Sequence, residues 1–270
     1  MIGMTTTRAY AIAGVITGAL LSLTGCGEVP AEGPPVALVY RGPASCDGCA
    51  ESVAAILASS DHDFEVQFVG PDEESEATHE TLSGADLYVQ PGGGDDVAEA
   101  MADLGQPATR AIRDFVEGGG RYLGFCMGAY LAGSDPGMGL LLPGNTDSYT
   151  ALPDATTTTV DDTVLQVTWG EGTRLHFAQD PPYLIPSGVP GEKILSRFAS
   201  GQVNALVRPL GEGTVGVIGT HPEAERDWYS DELWELDTDG LDHENALELV
   251  DAVMGSPAEP SKASGPKPKD

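Results

Sequence analysis

The chain has 270 residues, with 13 basic against 42 acidic side chains and a formal net charge of −29. A field of that sign repels nucleic acid and anionic lipid headgroups, so nucleic-acid binding is excluded as a function class. With 41% hydrophobic residues and no internal repeat, the sequence has the apolar content for one core of ordinary domain size.

At the start, Arg8 precedes an apolar stretch over residues 9–23 that is interrupted only by Gly, Thr and Ser and runs into Leu23-Thr-Gly-Cys26. The stretch is too short for a comfortable membrane span and reads as a secretory signal over residues 1–25. Its Leu-x-Gly-Cys ending resembles a lipoprotein signal. That resemblance implies a lipidated Cys26, an anchor on the outer face of the cell membrane and an extracytoplasmic place of work. An ordinary signal peptide with a stray Cys is the alternative. Without the signal, 12 basic face 42 acidic residues, a formal −30. Residues 26–35 are expected as a tether, 36–255 as one domain and 256–270 as a disordered tail rich in Pro, Lys and Ser.

Along that domain, residues 36–40 read as a first strand, 47–58 as a helix, 64–69 as a second strand and 86–90 as a third. Cys46-Asp-Gly-Cys49 sits where the first helix begins. In an exported protein this spacing reads as a local disulfide, with a redox pair as the alternative. No second Cys/His pair lies at ligand spacing, so no metal and no cofactor are expected. The third strand runs into Pro91-Gly92-Gly93-Gly94-Asp95. Consecutive glycines after a strand free backbone N–H groups to face a ligand, as an oxyanion hole requires.

Residues 108–117 read as a helix stopped by Gly118-Gly119-Gly120, and the next strand ends in Gly124-Phe-Cys126-Met-Gly128. G-x-C-x-G at a strand end is the pattern of a nucleophile elbow, a sharp strand-to-helix turn that leaves the side chain on an exposed apex. The helix that follows aims its free N–H groups at the sulfur and favours thiolate. A buried structural Cys beside a tight turn is the alternative. Residues 156–160, 164–168, 194–198 and 204–210 then read as strands of an antiparallel excursion. Between them, residues 175–183 are dense in polar and aromatic groups, which suggests a pocket wall carrying His176 and Tyr183.

Residues 214–220 read as a buried strand that delivers His221-Pro222-Glu223. Extended residues at i and i+2 face one side, so the carboxylate of Glu223 can orient the imidazole of His221, which can take a proton from Cys126. His176 is the competing base. Residues 241–254 close the domain as an amphipathic helix.

The order strand-PGGG, GFCMG and distant THPE resembles the class I glutamine amidotransferase-like superfamily. Within it, Val36-Ala-Leu-Val-Tyr40-Arg-Gly-Pro43 and Tyr88-Val-Gln-Pro-Gly-Gly-Gly94-Asp95 are most similar to the N-terminal domain of eukaryotic biotin-protein ligases. The resemblance spans roughly residues 35 to 254. It implies an α/β, flavodoxin-like parallel sheet with helices on both faces. It also implies a nucleophile at Cys126, a base at His221, an orienting acid at Glu223 and oxyanion donors from Gly92, Gly93, Gly94 and Met127. True glutamine amidotransferases tend to carry Gln four residues after the nucleophile, where this chain has Tyr130, a further candidate pocket residue. Free glutamine is therefore not the expected substrate. No ammonia-accepting domain follows, so no ammonia relay within the chain is expected, and no obligatory protein partner is inferred. The expectation is a cysteine hydrolase that cleaves a small amide or peptide through a thioester. The alternatives are a silent binding module of the same fold and a thiol redox protein using Cys46 and Cys49.

Overall fold

The computed structural model describes residues 33–255; the expected signal segment, Cys26 and the expected tail lie outside the described residues. No helix among the described residues is long and apolar enough to cross a membrane. The first half alternates strand and helix: β1 (Val36–Tyr40), α1 (Cys49–Ser59), β2 (Glu65–Val69), α2 (His79–Leu82), β3 (Leu87–Gln90), α3 (Val97–Glu117), β4 (Arg121–Phe125) and α4 (Met127–Ala132). Strands dominate next, with β5 (Asn145–Ser148), β6 (Thr163–Trp169), β7 (Gly172–Ala178), β8 (Pro182–Ile185), β9 (Lys193–Phe198), β10 (Val203–Leu210) and β11 (Gly213–Ile218). A 3-10 turn at Arg226–Trp228, α5 (Asp231–Leu236) and α6 (His243–Met254) complete the chain.

One sheet holds the strands in the order β2-β1-β3-β4-β11-β10-β9-β6-β7, with β8 pairing both β10 and β5. The run from β2 to β11 is parallel. From β11 onward every neighbour is antiparallel, which is the expected excursion.

Alternation along the parallel strands builds two cores. Leu38, Tyr88, Tyr122, Val215 and Val217 face Ile112 and Val116 of α3 and Leu131 of α4. Ala37, Val39, Val89, Leu123 and Phe125 face Val53 and Ile56 of α1 and Leu249 and Val253 of α6. Each such aliphatic or phenyl group contributes about 1.5–3 kcal/mol by leaving water. Covering both faces this way fixes the C-terminal ends of β1, β3, β4 and β11 at one edge.

Three sequence expectations change. Residues 156–160 are not a strand. Their hydroxyls serve the local backbone instead, with Thr157 Oγ1 accepting from the Thr159 amide (3.3 Å) and Thr159 Oγ1 from that of Asp161 (3.1 Å). The helix expected from residue 108 begins at Val97, where Asp96 caps it by accepting from the amides of Ala98 (2.8 Å) and Glu99 (3.0 Å). Gly105, at φ 74°, breaks it just ahead of Pro107. Three short strands, β5, β7 and β8, were not expected.

The elbow depends on two close approaches. A methyl at Gly124 would stand 2.6 Å from the Gly128 carbonyl oxygen, and one at Gly128 would reach the Gln90 carbonyl oxygen at 2.2 Å. Strand β4, helix α4 and strand β3 can meet only without those side chains. Gly128→Ala is therefore expected to destabilise the fold by about 1–3 kcal/mol, read as a lower urea midpoint. Gly94→Ala, whose methyl meets nothing within 4 Å, is expected to stay within about 0.5 kcal/mol. Equal midpoints for the two variants would contradict this packing.

Candidate active site

Four loops leave the sheet at the edge where β1, β3, β4 and β11 end, and each delivers one part of a site. The turn after β4 holds Cys126 at φ 45° and ψ −101°, a left-handed backbone at a non-glycine residue. The Cys126 amide donates to Ile218 O (2.9 Å), and its carbonyl accepts from the amides of Ala129 (2.8 Å) and Tyr130 (3.1 Å), so the strain is held on both sides. The side chain is not sealed, because the residue keeps 7% of its surface exposed. It lies on a cleft of about 450 Å³. Its sulfur donates to Gln179 O at 3.6 Å.

Strand β11 delivers His221, and Nδ1 of its imidazole meets Glu223 Oε1 at 2.8 Å. Both residues are buried, His221 at 4% and Glu223 at 0% exposure. The other carboxylate oxygen, Glu223 Oε2, has no hydrogen-bond partner among the described residues. Burial is the largest influence on the His221 imidazole and disfavours its proton. The opposing charges of Glu223 and Cys126, with hydrogen bonds to both, outweigh burial and raise its pKa to about 10. The imidazole is thus coupled electrostatically to the sulfur, whose own hydrogen bond runs to Gln179 O.

The glycine loop after β3 divides its work. Gly93 and Gly94 line the cleft beside Met127. Met127 is the first residue of α4, so its amide has no acceptor within that helix. These three amides are the candidates for an oxyanion. Gly92 does not line the cleft. A methyl there would sit 2.6 Å from His221 Cε1, so its missing side chain makes room for the imidazole. A buried chain holds the loop in place: Tyr88 OH donates to Gln90 Oε1 (2.8 Å), and Gln90 Nε2 donates to Ala44 O (3.0 Å). The Cys46 amide then donates to Gly92 O (2.9 Å). Cys46 and Cys49 are joined as a disulfide next to this loop.

Two expected pocket residues fall elsewhere. His176 is fully buried, with Nδ1 on Thr220 Oγ1 (2.8 Å) and Nε2 on Asn245 Oδ1 (3.1 Å), and it lines neither the cleft nor the cavity beside His221. Burial lowers its pKa to about 4, so it is a neutral strut between β7, β11 and α6 and not a base. Tyr183 is displaced for a similar reason. It packs against the cluster of Tyr149, Leu165 and Phe198. The wall that residues 175–183 do supply is Gln179 and Asp180, just past the end of β7. Asp180 adopts φ 35°, and its carboxylate accepts from Thr150 Oγ1 (2.7 Å) and Ser148 Oγ (3.2 Å). Tyr130 does line the cleft, donating its hydroxyl to Asp180 O (3.2 Å). Among the described residues, no group of three or more His, Cys, Asp or Glu side chains is arranged to hold a metal ion.

The fold, a mixed sheet whose parallel strands are flanked by helices, is similar to that of glutamine amidotransferase-like α/β proteins. Residues 36–136 match the family described as "Biotin-protein ligase, N terminal". The chain is similar in structure to PurLQS from Thermotoga maritima, at 15% identity and a TM-score of 0.54, with 80% of this chain and 97% of that one covered. A solved glutamine amidotransferase aligns at 19% identity and a TM-score of 0.50 over 79% of this chain and 97% of its own. A ThuA-like protein from Bacteroides uniformis aligns at 11% identity and a TM-score of 0.51, over 84% and 94%. No curated protein matches the sequence.

The raised His221 pKa has a consequence for stability. A proton bound more tightly in the folded chain stabilises it fully below the unfolded value of 6.5, and this is lost as pH rises towards about 10. Thermal melts across that window are expected to show a decline that His221→Gln lacks. Parallel profiles for the two proteins would contradict the charged imidazole.

Proposed function

We propose that this protein is an extracytoplasmic cysteine hydrolase of small amides or peptides, anchored to the outer face of a membrane through lipid on Cys26. One observation carries the enzymatic part: a nucleophile on a strained apex opens onto a cleft, and a buried imidazole–carboxylate pair is coupled electrostatically to its sulfur. A structural cysteine needs no such partner.

In this reading the Cys126 sulfur attacks the substrate carbonyl carbon, and the amides of Gly93, Gly94 and Met127 receive the negative oxygen. The imidazole of His221, protonated at neutral pH, gives its proton to the departing nitrogen as the C–N bond breaks. A thioester on Cys126 remains. Water then attacks it, with His221 taking the water's proton and the sulfur leaving. Glu223 fixes the tautomer and balances the charge throughout.

The walls of the cleft argue against glutamine as substrate. Asp95, Asp135, Asp147 and Asp180 line it, and no Lys or Arg is among its lining residues. The carboxylate of a free amino acid would find four like charges there and no basic partner. Tyr130, its hydroxyl held at Asp180 O, fills the place where an amidotransferase Gln is expected.

Purified protein assayed against a panel of small amides and peptide anilides is expected to hydrolyse at least one. Cys126→Ala is expected to lose at least about a thousandfold in rate and His221→Ala about a hundredfold or more. Free glutamine is expected to release no ammonia. In cells, Cys26→Ser is expected to shift the protein from the membrane to the soluble fraction. Hydrolysis that survives Cys126→Ala would overturn the catalytic reading, and a membrane-bound Cys26→Ser protein would overturn the anchor.

A further inference from the structure

A second cavity, of about 190 Å³, adjoins the large cleft. Gly93 and Gln179 border both cavities, and they form the ridge between them. Cys126 lines the large cleft only, whereas His221 lines the small cavity only. The two reacting groups therefore border different, adjoining cavities.

An amide bound for cleavage must present its carbonyl carbon to the sulfur and its nitrogen to the imidazole, since the nitrogen receives the His221 proton. A substrate laid across the ridge would then run its acyl portion into the large cleft and its amine portion into the small cavity. We propose that this small cavity, walled by the Cys46–Cys49 disulfide and Trp228, is the site of the leaving amine, and that it takes a compact primary amine. The inference rests on the hydrolase reading above and adds which side each half of the substrate occupies.

The walls suit that chemistry. Trp228 stands edge-on to the imidazole with ring centroids 5.3 Å apart, and Phe177 lies 5.7 Å from Trp228. These two aromatics and the disulfide give an apolar lining for a short carbon skeleton. Two exposed carboxylates, Asp47 and Asp162, stand in the same wall. Once the C–N bond has broken and the nitrogen has picked up its protons, the product is an ammonium ion, and it meets two carboxylates and an indole ring. At about 30 Å³ per water-sized group, the cavity holds roughly six heavy atoms. A short or cyclic alkylamine fits that volume. In the balanced sequence, His221 gives one proton to the nitrogen, the neutral amine so released takes its second proton from solvent in this cavity, and the water that cleaves the thioester returns a proton to His221 and leaves its hydroxyl on the acyl product.

The test uses cyclopentylamine, with its neutral isostere cyclopentanol as control, and measures binding to the whole protein by titration calorimetry. The amine is expected to bind saturably to wild type and to Cys126→Ser, and the alcohol at least tenfold more weakly. The double variant Asp47→Asn/Asp162→Asn changes only exposed carboxylates and is expected to weaken amine binding fivefold or more, as is Trp228→Phe. Glu80→Gln, an exposed acid far along the chain, is expected to leave it unchanged, which separates the cavity from the overall negative field. Absent saturation, equal binding of alcohol and amine, or indifference to the Asp47/Asp162 pair would overturn the assignment. The two readings fail separately. Cys126-dependent hydrolysis without amine binding removes the cavity's role, whereas amine binding without hydrolysis removes the enzyme on which that role rests.

Discussion

The site depends on one backbone conformation, the left-handed φ of 45° at Cys126. An L-residue with a side chain reaches that region only when its surroundings force it, at a cost of order 1–3 kcal/mol. Here the forcing comes from close packing. Gly128 lies against the Gln90 backbone, Gly124 lies against Gly128, and Tyr122 OH donates to Gly128 O at 2.7 Å. Cys126 thereby belongs to neither core and lies on the cleft, where its sulfur donates to Gln179 O.

The second constraint is the division of labour among those strand ends. Strand β11 contributes a His and a Glu two residues apart, and the Phe177 carbonyl on β7 accepts the His221 amide at 2.9 Å, so the imidazole is tied to the antiparallel half of the sheet. Strand β3 contributes the glycine loop, in which Gly92 serves the imidazole and Gly93 and Gly94 serve the cleft. The loop after β1 clasps that strand through Gln90 Nε2 to Ala44 O and Cys46 N to Gly92 O. The disulfide ties Cys46 of this clasp to Cys49 at the start of α1. A parallel sheet with a 3-10 turn laid over one corner thus encloses a charged pair that could not persist in an open loop.

Much of this was legible in the sequence, because it was written in local patterns. G-x-C-x-G and strand-PGGG are contiguous, and β1 is bounded by a single apolar run at residues 36–40. His221 and Glu223 do meet as the His-Pro-Glu step suggests, but through a turn and not by strand alternation, since β11 ends at Ile218 and the Ala224 amide donates to His221 O at 3.1 Å. What depends on distant partners was not readable. His176 looked like a pocket residue, but its surroundings are Thr220 and Asn245, 44 and 69 residues away in sequence. The threonines at 156–159 have strand propensity, yet hydroxyls of Thr157 and Thr159 bond the local backbone instead. Gln179 and Asp180 occur in the right segment and carried no motif of their own. Asp96 with Glu99 was a readable helix start that the glycines around it obscured.

The central claim is that the imidazole of His221, oriented by Glu223, acts on the sulfur of Cys126. Its most direct test is the rate at which iodoacetamide alkylates Cys126 at neutral pH, followed by intact mass, in wild type, His221→Ala and Glu223→Gln. The account predicts that wild type reacts at least about tenfold faster than His221→Ala, with Glu223→Gln between them. Equal rates in all three proteins would contradict it.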